Sequence, residues 1–325
     1  MMVNPIGGYF ELELPRDRTQ VYPGALRFQS GRSAFLALLR AARPNRVWMP
    51  RYLCDTMYAP LREAGIGCEQ YSVDERFEII GEPAVHEHDW FYYVNYCGVR
   101  DSYVDEVLSR FEPQHVIVDN CQAFFSRPRD CAATIYSPRK FFGVPDGGLL
   151  ITLCQVEPPA QRDTGSLARS RHLIERLAST PESGYTSYQA AEQSLESVEP
   201  HGMSQLTEAL LSTIDLNQAR LRRNDNFLAL HTKLAPFNRC ALDVAAVDGP
   251  LCYPLLIEAP GLREHLIASR IFVATYWPDV ARRVEADSVE AGLIKHLLPL
   301  PCDQRYSMVE MAQIADACLE FLKRQ

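Results

Sequence analysis

Four residues in the middle of the chain, Val116-Ile117-Val118-Asp119, restrict the fold more than any other segment. Three consecutive β-branched residues leave no polar face, so the run reads as a strand buried on both sides. Such strands belong to parallel sheets, whose crossover helices cover both faces. The surroundings agree. From about residue 30 to 155, short apolar runs alternate with stretches of helical spacing. Strands are expected over 47–49, 90–95, 115–119, 132–136 and 148–153, and helices over 33–43, 53–64 and 103–111, the second ending at Gly65. This alternation predicts an α/β fold, a mainly parallel sheet with helices on both faces. Asp119 then ends its strand at the edge where open α/β sheets bind ligands. An Asp that merely caps the following loop fits the same four residues.

The rest of the chain reads less sharply. Residues 1 to about 25 look like an irregular lead-in, and 155–202 like helical pieces and an exposed loop. Residues 206–234 have the pattern of one long amphipathic helix, with Arg220, Arg222 and Arg223 on a solvated face. From about 236 a smaller α/β unit is expected: strands at 252–257 and 271–275, helices at 261–269 and 308–322. The chain has 325 residues, enough for two cores. The expected division is a large domain over 1–235, including the long helix, and a small one over 236–325.

Two further segments carry chemistry. Lys140 lies in Tyr136-Ser137-Pro138-Arg139-Lys140-Phe141-Phe142-Gly143, just before Asp146-Gly147-Gly148. Lysine is normally solvated, and one that forms a Schiff base needs a setting that makes its amine nucleophilic. A surface lysine on a turn is the plainer reading of this segment alone. If Lys140 and Asp119 meet, the carboxylate suits the pyridine nitrogen of pyridoxal phosphate, keeping it protonated so that the ring acts as an electron sink. In Phe28-Gln29-Ser30-Gly31-Arg32-Ser33-Ala34, small polar residues precede an apolar run with helical spacing. Free N–H groups and the dipole at such a helix start favour a phosphate, although an ordinary capped helix has the same pattern.

Taken in order, these three segments resemble the fold type I, pyridoxal-phosphate-dependent DegT/DnrJ/EryC1/StrS sugar aminotransferases. Ser30-Gly31-Arg32-Ser33-Ala34 is similar to the family's Ser-Gly-Thr-x-Ala phosphate loop. Asp119-x-x-Gln122-Ala123 resembles its Asp-x-x-Gln/His-Ala motif, and Pro138-Arg139-Lys140 with Asp146-Gly147-Gly148 its lysine segment. The resemblance implies that Lys140 holds the cofactor and that Asp119 pairs with the pyridine nitrogen. It places Gln122 at the phenolic oxygen, and Ser137, Gly31, Arg32 and Ser33 at the phosphate, Ser33 through its backbone N–H. It further implies a keto-sugar acceptor, nucleotide-linked, an amino donor such as L-glutamate, a cytoplasmic homodimer with shared active sites, and a place in polysaccharide biosynthesis.

Three departures stand out. Arg32 replaces the family's Thr, and a guanidinium either holds phosphate more strongly or points away. Ser137 lies closer to the lysine than the family's Ser. Cys54 falls where the family places an aromatic over the cofactor ring, which leaves Tyr52 to supply that face. The motifs are equally compatible with another pyridoxal-phosphate reaction, such as elimination or transamination of a non-sugar ketone, and with a binding or regulatory role for the fold.

Bulk properties exclude other classes. A net charge of −8 disfavours nonspecific binding to nucleic acid or anionic membrane. No apolar run is long enough to span a bilayer, and no basic-then-apolar signal segment opens the sequence. The ten cysteines are scattered without close pairs, so neither a zinc site nor a Cys-x-x-Cys redox site is expected. His86-Glu87-His88-Asp89 reads as a polar loop rather than a metal site.

Overall fold

The computed structural model describes residues 6–15 and 21–324. Of the expected lead-in, residues 1–5 and 16–20 lie outside the described residues, and the remainder forms neither helix nor strand.

The first half is built from β1 (Leu26–Phe28), α1 (Gly31–Ala42), β2 (Arg46–Pro50), α2 (Ala59–Ala64), β3 (Gly67–Tyr71), β4 (Asp89–Val94), α3 (Asp101–Arg110), β5 (Val116–Asp119), β6 (Ala133–Tyr136) and β7 (Gly148–Thr152). The seven strands form one sheet in the order β1-β7-β6-β5-β4-β2-β3. β2 to β6 pair in parallel, and β7 runs antiparallel to both of its neighbours. Six of the seven strands therefore point the same way, β1 included. Side chains of β6 and β7 alternate between two cores. Ile135 and Leu150 pack in the cluster that contains Phe35 and Leu38 of α1, while Tyr136 and Leu149 join Phe141, Met203 and Leu211. Both faces are thus covered, the arrangement that the unbroken apolar run of β5 requires.

Three short helices follow: α4 (Ser166–Arg169), α5 (Arg171–Ala178) and α6 (Tyr185–Gln193). The single helix expected over 206–234 is two helices, α7 (Gln205–Leu211) and α8 (Leu216–Leu234). The hydroxyls of Ser212 and Thr213 bond to the carbonyls of Ala209 and Leu210. Asp215 then caps α8, its side chain accepting from Gln218 N at 2.9 Å. Such short polar side chains compete with helix continuation.

Arg223 does not lie on a solvated face: it is 1% exposed, whereas Arg220 pairs with Asp248 on the surface. Helical periodicity alone could not show that chain from beyond residue 236 covers this side of α8. There, β8 (Tyr253–Leu256) pairs antiparallel with β9 (Leu297–Leu300), accompanied by α9 (Leu262–Ala268), α10 (Val289–His296) and α11 (Met308–Leu322). Phe227, Leu230 and Leu234 of α8 share a core with Tyr253, Leu300 and Ile314. The strand expected at 271–275 is irregular chain, and the carbonyl of Ala274 accepts from Arg263 rather than from a neighbouring strand. In the His86–Asp89 loop, Asp89 is buried and pairs with Arg46 at 3.0 Å. No group of His, Cys, Asp and Glu suited to a metal ion occurs among the described residues.

Candidate active site

The carboxyl ends of the co-directional strands open onto one cavity of about 520 Å³, within the size range of small-ligand sites. β5 delivers Asp119, and the turn that follows it delivers Gln122. β6 leads into the turn of Ser137 and Lys140, and β1 leads through Ser30 into the start of α1. Lys140, Asp119, Gln122, Ser137, Gly31 and Arg32 all line the cavity.

The amino end of α1 is arranged for an anion. Ser30 caps the helix, its hydroxyl accepting from Ser33 N at 3.2 Å, and no acidic residue occupies the first turn. The N–H groups of Gly31 and Arg32 have no partner among the described residues, and neither does the Arg32 guanidinium. Burial holds that guanidinium below its usual pKa, with Arg139 adding to the shift while Cys54, Glu192 and Glu196 oppose it. The Asp146-Gly147-Gly148 segment sets this helix start against the lysine turn. Gly147 N donates to Gln29 O at 2.7 Å, and a Cβ on Gly148 would lie 2.2 Å from the Ser30 carbonyl carbon. Asp146 is buried and accepts from Ser204 N at 3.0 Å and Ser204 Oγ at 2.5 Å.

At the end of β5, one oxygen of the buried Asp119 accepts from Cys121 N at 2.8 Å. Gln122 is oriented by its neighbour across the sheet edge. Its Oε1 accepts from Cys97 N at 2.8 Å, which leaves Nε2 as the donor it can offer the cavity. Asn95-Tyr96-Cys97-Gly98 is the turn that provides this contact. Gly98 has φ +68°, and a Cβ there would lie 2.8 Å from Gln122 O. Lys140 closes a 3₁₀ turn, Lys140 N donating to Ser137 O at 3.2 Å, and its side chain is exposed rather than buried. The apolar residues beside it in sequence, Phe141 and Phe142, point into the core with Phe124 instead.

Two expected site residues are not among those lining the cavity. Ser33 is fully buried, and its N–H is committed to the Ser30 cap rather than left for a phosphate. Tyr52 is 1% exposed and packs in an aromatic cluster, 5.9 Å from Tyr96 and 4.9 Å from Trp277 between ring centroids. Its hydroxyl has no hydrogen-bond partner among the described residues, and burial raises its pKa well above the usual value. Cys54 and Trp277 line the cavity in its place.

The largest addition is a polar wall from α6 and the turn after it: Tyr188, Gln189, Glu192, Gln193 and Glu196. Their spacing puts them on one helical face, a signal present in the sequence but lost in a segment of weak periodicity. Glu192 forms an ion pair with Arg139.

No family model matches the sequence, and no curated protein is a detectable sequence relative. Solved structures do match in three dimensions. NtdA from Bacillus subtilis, with bound cofactor PMP, superposes with a TM-score of 0.64 at 14% identity, over 92% of this chain and 73% of NtdA. A DegT DnrJ EryC1 StrS aminotransferase from Brucella abortus gives 0.58 at 14% identity, over 91% and 85%. The chain has the fold of these aminotransferases. The E. coli GDP-4-keto-6-deoxy-D-mannose-3-dehydratase with bound hydrated PLP has it too, at TM-score 0.58 and 16% identity over 90% of this chain and 87% of that one. At such identities the likeness is one of fold, and reaction must be argued from the site.

Proposed function

We propose that the protein is a pyridoxal-phosphate-dependent aminotransferase that moves the amino group of an amino acid such as L-glutamate to a keto sugar, nucleotide-linked as the sequence resemblance implies. The observation that carries this reading is the convergence of Lys140, Asp119, Gln122 and the uncapped amides of α1 on one cavity. The residues fit the cofactor: a helix start with no acid in its first turn, a buried carboxylate and an exposed amine all line one cavity. Structural neighbours solved with PMP or PLP support the same choice.

Bound there, pyridoxal phosphate supplies an electron sink conjugated to the reacting amine. The Gly31 and Arg32 amides, the Arg32 guanidinium and the Ser137 hydroxyl hold the phosphate. Asp119 would pair with the pyridine nitrogen and keep its proton in place, a fixed charge suited to the charge that would develop on the ring. Gln122 Nε2, left free by the bond to Cys97 N, would donate to the phenolic oxygen. Lys140, whose amine opens to the cavity, would be the residue that holds the cofactor and, once free, would serve as the acid and base that moves a proton at the reacting carbon.

In this reading the chain divides near residue 235 and works in the cytoplasm as a homodimer, in the supply of amino sugars for polysaccharide. Large exposed side chains on α4 and α5, Leu167, Ile174 and Leu177, support a partner on that side. The dehydratase among the neighbours marks elimination as the competing reaction. The deciving experiment is the visible spectrum of the purified protein before and after L-glutamate, followed by product analysis with a panel of keto sugars. A cofactor band that converts on adding the donor, with an amino sugar as product, is expected. No band even with added pyridoxal phosphate would sink the proposal.

A further inference from the structure

Arg139 precedes Lys140 in the same turn and lines the same cavity. Its side chain is 16% exposed, and its one hydrogen-bond or ion-pair partner among the described residues is Glu192 of α6. The Glu192 side chain is far more open, at 42% exposure, and forms no other side-chain hydrogen bond or ion pair within 4.0 Å among the described residues. The cavity thus holds a largely buried cation whose counter-ion reaches in from a wetter wall. A carboxylate entering the cavity can replace Glu192 without leaving Arg139 unpaired, because Glu192 can turn to solvent.

Geometry ties this pair to the amino donor. An amino acid carries its amine and its α-carboxylate on one carbon, so an amine that reaches Lys140 brings a carboxylate beside it. Arg139 is the neighbouring residue. The second cation, Arg32, sits at the amino end of α1, where the phosphate belongs. A keto sugar brings no carboxylate to the same position, and a cation left unpaired there would be costly. An exchangeable acid meets both demands.

We propose that Arg139 takes the α-carboxylate of the amino donor and that Glu192 occupies Arg139 whenever the donor is absent. The assignment rests on the aminotransferase reading above. It makes Glu192 a specificity device, which admits a carboxylate-bearing and a carboxylate-free substrate in turn.

The test uses the cofactor-loaded protein and glutarate, which has the carboxylates of glutamate but no amine to react. Glutarate binding is measured by calorimetry, and pyridoxal phosphate binding by the visible band. Arg139→Gln is expected to weaken glutarate roughly ten- to a hundredfold, while cofactor affinity stays within about threefold of wild type. Arg139→Lys, which keeps the charge but loses the fork, is expected to fall between and stands in if Arg139→Gln does not fold. Glu192→Gln removes the competitor and is expected to tighten glutarate at least about threefold. Unchanged or weaker binding in Glu192→Gln overturns the assignment and leaves the pair a latch between α6 and the lysine turn. Loss of pyridoxal phosphate rather than glutarate in Arg139→Gln overturns it in favour of a phosphate contact. A wild type with no cofactor band overturns the functional reading as well, whereas a normal band with glutarate unaffected in Arg139→Gln overturns the Arg139 assignment alone.

Discussion

Arg223 Nη2 donates to the carbonyl oxygen of Phe141 at 3.1 Å, one residue beyond Lys140. The same guanidinium donates to Pro250 O at 2.8 Å and to Gln304 Oε1 at 2.7 Å, and lies 4.5 Å from the centre of the Phe141 ring. Gln304 Nε2 adds a second bond to Phe141 O at 2.8 Å. One buried cation therefore joins α8, the lysine turn and the C-terminal unit. It forms no ion pair within 4.0 Å among the described residues, and burial holds its pKa below the usual value.

Arg223→Met should strand these acceptors away from water. A loss of about 2–3 kcal/mol is expected from buried acceptors left unsatisfied, read by chemical denaturation. A loss under about 1 kcal/mol would mean that the hydrogen bonds are replaceable and that Arg223 does not anchor the lysine turn.

Gly148→Ala tests the contact between β7 and the start of α1. The added Cβ would lie 2.2 Å from both the carbonyl carbon and the oxygen of Ser30, and 2.6 Å from Gly31 N, all backbone atoms that cannot step aside alone. Destabilisation of about 1–3 kcal/mol is expected, together with weaker pyridoxal phosphate binding as the anion end shifts. Thermal unfolding and a cofactor titration measure the two effects, and normal values of both would contradict the contact.

Lys140 and Asp119 separate by their variants. Lys140→Ala should remove the cofactor's lysine-bound visible band and lower turnover by at least about 10³-fold. Asp119→Asn should keep the fold, since an amide oxygen can still accept from Cys121 N, yet lower turnover about 10²- to 10³-fold. Measurable turnover near wild type in either variant, by amino-sugar production, would remove that residue from the chemistry.

Asp146 sets a pH dependence. Burial raises its pKa above the usual value, opposed by hydrogen bonds from Ser204 and Thr207. The folded state thus binds this proton more tightly than the unfolded one. Its contribution is fully present below the unfolded pKa, about 4, and is lost as pH rises through the raised folded value. Asp146→Asn lacks this titration. The stability of wild type relative to Asp146→Asn should therefore fall from about pH 4 upward, as followed by denaturation at a series of pH values. A relative stability that climbs over that range would reverse the sign.

Much of the first half was legible because its signals are local. The apolar run of β5 implied burial on both faces, and the small polar residues before Ala34 marked a helix start, expected at Ser33 and found at Gly31. Other signals were equally visible but answered to partners elsewhere in the chain. Ser33 looked available to a phosphate until the Ser30 cap took its N–H. Tyr52 looked free to face a ring, yet it packs against Trp277, far along the chain. Arg223 shared the helical spacing of exposed arginines, and only the covering chain from Pro250 and Gln304 buried it. Residues 271–275 had the composition of a strand but no strand beside them to pair with.

By itself the sequence determined the alternation of strands and helices and the polar residues that end them, because periodicity and capping are settled among near neighbours. Only the tertiary structure decided that Lys140, Asp119 and the α1 amides share a cavity walled by α6 and Trp277, and that Arg139 meets Glu192 there. Those meetings depend on how distant segments pack to bury their apolar faces, which no local pattern encodes.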